Sequence, residues 1–388
     1  MDKSTAAMDA FTARSLRIRI LRGDRDACDS SSHIPATLIV ANEFSKASSC
    51  QYVETAFRAL GFTKVSVHSV TLKNCQATLE EFVQYGLAHG NEPFLLFFTD
   101  CGLETDGFPG LTVLREMEKS SLVFTGADAL FESTTVTKTN QKAMLISKGV
   151  STAAFKAISL ENVEADVAET AQRLSFPWIV KPSVSFAGVG ISANSIVRSE
   201  AEAVRQINVI TKELPLCRGT FVETFLLGRE FTALVTGSAA AGVKTYTVAE
   251  RVFRSDLTHD QRIIDFERGI TQRGYRSSDD GSRKELIVPP ETEAFYTSKP
   301  APITVQLRLQ QLAKDAYVAV NGSGYARIDI RSNDMENSEF FVLEVNPNPL
   351  IGENSSVGKI LEYSGITAGE FMEEICQFAF NRVSPNSN

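Results

Sequence analysis

The chain has 388 residues, of which 43% are hydrophobic and 22% charged, as in globular proteins with two or three lobes and a large core. This composition excludes a disordered or low-complexity chain, and the net charge of -8 argues against general binding of nucleic acid or an anionic membrane surface. The six cysteines contain no CxxC pair and the four histidines are dispersed, so neither a disulfide framework nor a His/Cys metal site is predicted. Such cysteine usage is typical of a reducing compartment, and we expect a cytoplasmic protein.

The first half of the chain predicts a parallel sheet. Residues 1–35 are polar, and their arginines are interrupted by acidic residues that transit peptides avoid, so we expect a variable leader. Short apolar runs then alternate with helical segments, which predicts an N-terminal α/β domain over 36–122. The predicted strands and helices lie at 36–41, 52–60, 65–67, 79–89 and 94–98.

The remaining chain predicts two further lobes, at 123–218 and 219–388. In the second lobe we expect helices at 138–147, 160–174 and 200–214, the last begun by a capping box of Ser199 and Glu202, and a strand at 177–182. The third lobe contains β segments at 220–225, 230–236 and 243–248, an irregular stretch at 252–300, a helix at 304–320, and a hairpin at 325–331 and 340–346.

The hairpin carries the most informative polar residues. Period-two alternation places Arg327 with Asp329 on one face of the first strand, and Glu344 with Asn346 on one face of the second. A symmetric turn pairs Arg327 with Asn346 and Asp329 with Glu344. Two carboxylates at this separation repel each other unless a cation lies between them, and such oxygen donors suit Mg²⁺ with substrate phosphates. A solvated hairpin face with a surface ion pair is the alternative interpretation.

Three other features are ambiguous on their own. Lys181 precedes the small-residue segment 183–190, which suits phosphate binding although the P-loop motif is absent, and a tight turn is an equal alternative. Glu223 lies among apolar residues, where an adenine amino group is one candidate partner, and Glu230 could accept ribose hydroxyls; structural salt bridges are the alternative for both. Residues 352–356 lead into a helix whose N-terminus could bind an anion or simply be capped.

Taken together, these motifs resemble the ATP-grasp superfamily, and most closely its D-alanine–D-alanine ligases, from about residue 36 to 382. The segments that carry the resemblance lie in all three lobes and in the family's order. They are 106–110 with 125–126, 137–142, 180–182, 223 with 228–232, 326–329 and 343–346.

The resemblance implies a three-lobed ATP-grasp fold of the α/β class with ATP between the second and third lobes. It implies nucleotide binding by Lys138, Lys181, Ser183, Gly188, Glu223 and Glu230, and two Mg²⁺ (or Mn²⁺) ions held by Asp329, Glu344 and Asn346. The γ-phosphate would pass to a carboxylate, and an amine would attack the resulting acylphosphate. Arg327 would stabilise the developing charge, and Ser355 would bind the carboxylate of the second substrate. Expected partners are a small carboxylate, an amino acid or amine, and a second subunit in a homodimer.

Departures from the family pattern concern the first-substrate subsite. The family's glycine-rich loop after its first strand corresponds here to 41–46, which has no glycine, and its loop serines fall on Ala187 and Gly188. Its histidine falls near Asp100, and a third-lobe lysine has no match, although Arg268 is nearby. We therefore predict an ADP-forming ligase whose substrates are not two D-alanines. A non-catalytic nucleotide-binding protein, a carboxylase and a phosphotransferase remain alternatives.

Overall fold

The first lobe is built around a small parallel sheet. The computed structural model describes residues 3–25, 36–100, 102–104, 107–186, 188–265, 268, 275–277, 284–286, 294–336 and 338–383. The first elements are α1 (Lys3–Thr12), β1 (Arg17–Gly23), α2 (Ala36–Ala59), β2 (Val65–Val70), α3 (Cys75–Ala88), β3 (Phe94–Asp100) and α4 (Gly110–Lys119). The strands pair in the order β2-β1-β3, both pairs parallel, which confirms the predicted sheet type.

The first strand lies elsewhere than the sequence predicted. The strand expected at 36–41 is wrong, because these residues begin α2, and a short apolar run cannot be distinguished from a helical segment by periodicity. Strand β1 lies instead within the expected leader and is central in its sheet. Its arginines make it look polar, but Arg19 is buried, with its guanidinium 4.2 Å from the ring centre of Phe82.

The second lobe is an antiparallel sheet covered by two helices. Its elements are α5 (Ala129–Thr135), α6 (Lys138–Ser147), β4 (Phe155–Ile158), α7 (Val163–Ala171), β5 (Trp178–Pro182), β6 (Ile196–Val197), α8 (Glu200–Glu213) and β7 (Thr220–Thr224). The strands pair in the order β4-β7-β5-β6, and their apolar side chains form one core with α7 and α8. Ser199 caps α8 by accepting a hydrogen bond from the Glu202 amide, as predicted, whereas α7 is shorter than the predicted helix.

The third lobe contains the largest sheet. Its elements are β8 (Glu230–Ser238), β9 (Gly242–Thr245), β10 (Ala249–Phe253), β11 (Tyr275–Ser277), β12 (Lys284–Leu286), β13 (Tyr296–Pro300), α9 (Ile303–Ala319), β14 (Ser323–Ser332), β15 (Phe340–Pro347), α10 (Ser356–Tyr363) and α11 (Ala368–Val383). The main path is β13-β10-β8-β14-β15, with β9 paired to β8. Helix α9 packs on one face of this sheet, while α10 and α11 cover part of the other face through Leu234, Ala249 and Tyr325. The rest of that second face carries polar side chains.

The hairpin register confirms the prediction from sequence. Strands β14 and β15 are antiparallel, with Arg327 opposite Asn346 and Asp329 opposite Glu344. The register shifts between Asp329 and Ile330, so the symmetric pairing ends just beyond the two carboxylates. The boundary proposed at 35 is wrong, because β1 lies before it and is the central strand of the first sheet. The boundaries proposed at 122 and 218 stay predictions. Within the described ranges, none of the helices combines the length and apolar character that crossing a membrane requires.

Candidate active site

A cavity of about 470 Å³ brings together residues from all three lobes. Its walls come from the polar face of the large sheet, the strand β5 and its following loop, helix α2, and the segment 349–357. The predicted site residues that line it are Lys138, Lys181, Gly188, Glu230, Arg327, Asp329, Glu344, Asn346 and Ser355. Ser183 and Glu223 are buried and are not among the residues lining the cavity.

Asp329 is the most heavily contacted carboxylate in the cavity. Its Oδ2 atom accepts hydrogen bonds from Arg327, at 2.9 Å from Nη2, and from Asn346, at 3.3 Å from Nδ2. Its Oδ1 atom accepts one from Thr232 Oγ1 at 3.0 Å. Burial opposes ionisation, but Arg327 and Arg251 outweigh it and hold the pKa of Asp329 below its usual value. Asp329 is therefore a carboxylate anion at neutral pH.

Glu344 is paired with a lysine from the second lobe. Lys138 Nζ lies 2.6 Å from Glu344 Oε1 and also donates a hydrogen bond to the carbonyl of Ser185 at 2.8 Å. The backbone amide of Lys138 is anchored by the carbonyl of Ser183 at 2.8 Å. Lys138 thus links the hairpin that the sequence predicts to bind metal with the small-residue loop. Ser183 takes part through its main-chain carbonyl, which holds the backbone of Lys138.

The hairpin offers a donor set that suits Mg²⁺. Two carboxylates and the amide oxygen of Asn346 are hard oxygen donors, and Mg²⁺ binds through a few such groups with waters and phosphates. The described part of the chain contains no group of three His, Cys, Asp or Glu residues placed to hold an ion. Since Arg327 and Lys138 engage the carboxylates, these residues fit a metal that arrives together with phosphate oxygens rather than a resident structural ion.

Glu223 lies behind Lys181, in a buried triad that the sequence did not predict. Its carboxylate contacts the ammonium groups of both Lys181 and Lys142, and Lys142 Nζ is 2.7 Å from Glu223 Oε2. Burial lowers the pKa of Lys142. Burial also opposes ionisation of Glu223, but the two lysines hold its pKa below the usual value. The salt-bridge alternative therefore describes Glu223 better than a contact with adenine, and the spacing of Lys138 and Lys142 by one helical turn was the available signal.

Glu230 also has charged partners that the sequence analysis missed. Arg251 of β10 and Arg331 of β14 lie on either side of it, because β8 is paired with both strands. Arg251 Nη1 contacts Glu230 Oε1, and Arg331 Nη1 is 3.6 Å from Oε2. Both arginines line the cavity. Alternation along β14 could have indicated Arg331, two positions beyond Asp329, whereas Arg251 stands in a segment without a motif.

The segment before α10 closes the cavity against helix α2. Ser355 caps α10: its Oγ atom accepts from the amide of Gly358 at 3.1 Å and donates to the carbonyl of Gly352 at 2.7 Å. Ser49 of α2 donates to the carbonyl of Ile351 at 2.8 Å and accepts from its amide at 3.2 Å. This end of the cavity is therefore shaped by two segments some 300 residues apart in the chain.

Some residues singled out from the sequence do not lie where we expected, and others fall outside the described residues. The comparison of 41–46 with a loop after the first strand is wrong, because these residues lie within α2 and the first strand is β1. Arg268 stacks on Phe295, 4.3 Å from its ring centre, and is not among the residues lining the cavity. Ala187 and Asp106 lie outside the described residues, as does the side chain of Asp100.

The sequence matches one protein family over more than half of its length. Residues 144–377 match the family model of the D-ala D-ala ligase C-terminus. A D-alanine–D-alanine ligase of Carboxydothermus hydrogenoformans is 26% identical over 262 residues, which cover 67% of this chain and 73% of that protein. A D-alanine–D-alanine ligase of Idiomarina loihiensis is 25% identical over 344 residues, covering 82% of this chain and 97% of that protein.

Solved structures share the whole fold. The D-alanine–D-alanine ligase of Bacillus anthracis complexed with ATP superposes with a TM-score of 0.65 at 15% identity, covering 96% of this chain and 99% of that one. The VanG D-Ala:D-Ser ligase of Enterococcus faecalis gives a TM-score of 0.64 at 15% identity, with 94% and 99% covered. These likenesses confirm the ATP-grasp fold predicted from sequence.

Proposed function

The chain belongs to the family of the D-ala D-ala ligase C-terminus, and we propose that it is an ADP-forming ligase that joins a carboxylate to an amine. The observation that carries this proposal is that carboxylates of the hairpin and lysines of the second lobe line the same cavity. The hairpin supplies Asp329, Glu344 and Arg327, and the second lobe supplies Lys138 and Lys181. A nucleoside triphosphate with its divalent cation suits this arrangement, because the carboxylates can bind the cation and the lysines can bind the phosphates.

ATP and Mg²⁺ are the cofactors, and the residues present fit both. Asp329, Glu344 and Asn346 would hold Mg²⁺, which neutralises phosphate charge during phosphoryl transfer. Lys138 would bind a phosphate oxygen once its carboxylate partner, Glu344, is shared with the cation. Lys181 lines the same cavity and would bind a second phosphate oxygen while Glu223 stays paired with it from the buried side. Gly188, at a φ of 80°, adopts a backbone conformation that favours glycine and lets the main chain approach a phosphate closely.

Arg327 acts on the reacting groups. Its Nε and Nη2 atoms both donate to Asp329 Oδ2, so the guanidinium plane is fixed against the hairpin at the cavity wall. In the proposed reaction a carboxylate oxygen would attack the γ-phosphorus as the bond to ADP breaks. A neutral amine would then attack the acyl carbon, phosphate would leave, and the nitrogen would lose a proton. Negative charge accumulates on oxygen in both steps, and a fixed guanidinium stabilises it without reorganisation. Arg327 is thus the proposed catalytic residue.

The N-terminus of α10 receives the carboxylate of the acceptor substrate. Ser355 lines the cavity and caps this helix, whose first-turn amides and dipole favour an anion. We assign Ser355 a direct contact with that carboxylate. Its hydroxyl can release the carbonyl of Gly352 and donate to the substrate instead, while continuing to accept from the amide of Gly358.

The substrate pair is proposed to differ from two D-alanines. The argument from 41–46 no longer supports this, because those residues are helical. Two observations do: Gly188 lines the cavity without a hydroxyl, and Tyr52 of α2 fills part of the wall near the acceptor end. Burial and the charge of Glu353 raise the pKa of Tyr52, so its phenol is neutral and can donate to a substrate oxygen.

A screen for ADP release tests the function. The purified full-length chain is incubated with ATP, Mg²⁺ and single or paired amino acids and small carboxylates, with D-alanine and D-serine included and Asp329→Asn as the background control. Release that requires a carboxylate and an amine together supports ligation. Release with one carboxylate alone would identify a phosphotransferase. Efficient turnover of D-alanine as both donor and acceptor would contradict the substrate proposal while supporting the ligase.

A further inference from the structure

A row of three charged side chains crosses the polar face of the large sheet. Arg251 on β10 is paired in register with Glu230 on β8, and Glu230 is paired in register with Arg331 on β14. Side chains in register on neighbouring strands lie on the same face. All three line the cavity, and two arginines against one glutamate give the row a net positive charge.

Arg251 connects this row to the predicted metal hairpin. Its Nη1 atom contacts Glu230, and its Nη2 atom lies 3.4 Å from Asp329 Oδ1. The side chain is 9% exposed, and its guanidinium lies 5.7 Å from the ring centre of Tyr296. It is thus held from three sides, with its charged end between the two carboxylates rather than in solvent.

The covalent order of ATP identifies what belongs between these two carboxylates. Glu230 is the residue proposed for the ribose hydroxyls, and Asp329 is one of those proposed for Mg²⁺ at the terminal phosphates. The group that joins the ribose to the terminal phosphates is the α-phosphate. Arginine suits it, because its donors are arranged in a fork that can serve a carboxylate and a phosphate oxygen together.

We propose that Arg251 is a nucleotide-binding residue that donates a hydrogen bond to the α-phosphate of ATP. The inference rests on the proposed function, since it takes an adenine nucleotide to be the ligand. The Nη2 atom is the donor, because its contact with Asp329 is long and that oxygen already accepts a hydrogen bond from Thr232. A purely structural ion pair with Glu230 is the competing account.

The same two strands contain a matched control on their other face. Arg229 is bonded to Glu250, with Nε 2.7 Å from Oε1, and neither residue is among those lining the cavity. Both arginines therefore make an ion pair between β10 and the start of β8, but only Arg251 does so inside the cavity. Arg229→Gln measures what the loss of such a pair does to the sheet itself.

The experiment compares the affinities of adenosine, AMP and ADP for the wild type, Arg251→Gln and Arg229→Gln, measured by calorimetry with Mg²⁺ present and no acceptor substrate. Losing a charge-assisted hydrogen bond should weaken AMP and ADP binding by roughly tenfold to a hundredfold in Arg251→Gln. Adenosine affinity should change by less than about threefold, the spread expected for individual contacts. Arg229→Gln should bind all three ligands like the wild type.

Two results would overturn the inference. If Arg251→Gln bound AMP with wild-type affinity, Arg251 would not contact the α-phosphate. If adenosine affinity fell as much as AMP affinity, Arg251 would have only a structural role beside Glu230. Should Arg251→Gln fail to fold, Arg251→Lys keeps the charge but not the fork, and it should bind AMP with intermediate affinity while adenosine binding stays unchanged. A wild type that binds none of the three would instead contradict the proposed function itself.

Discussion

Asp329 and Glu344 face each other across the β14–β15 hairpin, and each is engaged by a different cation from a different direction. Arg327, on the same strand as Asp329, reaches it along the strand, whereas Lys138 reaches Glu344 from the second lobe. The like charges of the two carboxylates are therefore offset separately. Arg327 belongs to the hairpin itself, whereas the helix of Lys138 is joined to it through Gln141, which bonds both the carbonyl and the amide of Val345.

Arg327→Ala should lower the turnover rate by about 10²- to 10³-fold, the usual consequence of removing one donor to a developing oxyanion. Nucleotide affinity should stay within a few fold of the wild type, because Lys138 and Lys181 remain. Steady-state ADP release and calorimetric ADP binding measure the two quantities separately. A turnover rate close to that of the wild type would show that Arg327 has no catalytic role.

Glu344→Gln should raise the Mg²⁺ concentration needed for half-maximal activity by roughly tenfold, because the site loses one of its two anionic ligands. A Mg²⁺ titration of ADP release measures this shift. Glu339→Gln is the matched control, since Glu339 is an exposed residue immediately before the same strand. An unchanged Mg²⁺ requirement together with an unchanged rate would show that the hairpin does not hold the metal.

Lys142→Met should destabilise the fold by about 3–5 kcal/mol, the range found when one partner of a buried ion pair is removed. The carboxylate of Glu223 would then be buried with Lys181 as its neighbouring cation, and both Glu223 and Lys142 are 1% exposed. Chemical denaturation measures the loss. The double variant Lys142→Met, Glu223→Gln should recover much of it, and a double variant as unstable as the sum of the two single ones would argue against coupling.

His68 should make the first lobe sensitive to mild acid. Burial and the nearby Arg19 lower the pKa of His68 below its model-peptide value of 6.5, with Glu81 acting weakly against them. The unfolded chain therefore takes up a proton before the folded chain does, so stability falls as the pH drops below about 6.5 and levels off below the folded-state pKa. Melting temperatures between pH 5 and 7.5 should show a smaller slope for His68→Gln than for the wild type; parallel slopes would contradict the assignment.

The hairpin was predictable because its information is local. Two alternating polar pairs on adjacent strands fix their own register, and the structure confirms Arg327 opposite Asn346 and Asp329 opposite Glu344. The long helix predicted at 304–320 is also confirmed, as α9 at Ile303–Ala319.

Features that depend on tertiary contacts were not predictable from pattern. The arginines of β1 look solvent-exposed until the rings that cover Arg19 are known, so the first strand was assigned to the apolar run at the start of α2. Arg251 enters the cavity because β10 pairs with β8, and nothing in its own segment indicates that pairing. Glu223 was interpreted as a ligand contact because its two lysines are distant in the sequence.

The first and third lobes share one hydrophobic core, which joins Phe11 and Phe57 to Phe371 and Phe380. The rings of Phe11 and Phe380 lie 5.4 Å apart, although the residues are near opposite ends of the chain. The stretch that matches the family model begins at 144, after Lys138, and omits α2 with its bonds to Ile351. A fragment cut to that stretch would therefore lose the lysine paired with Glu344, one wall of the cavity and half of a core at once, so the matched stretch alone does not contain the whole site.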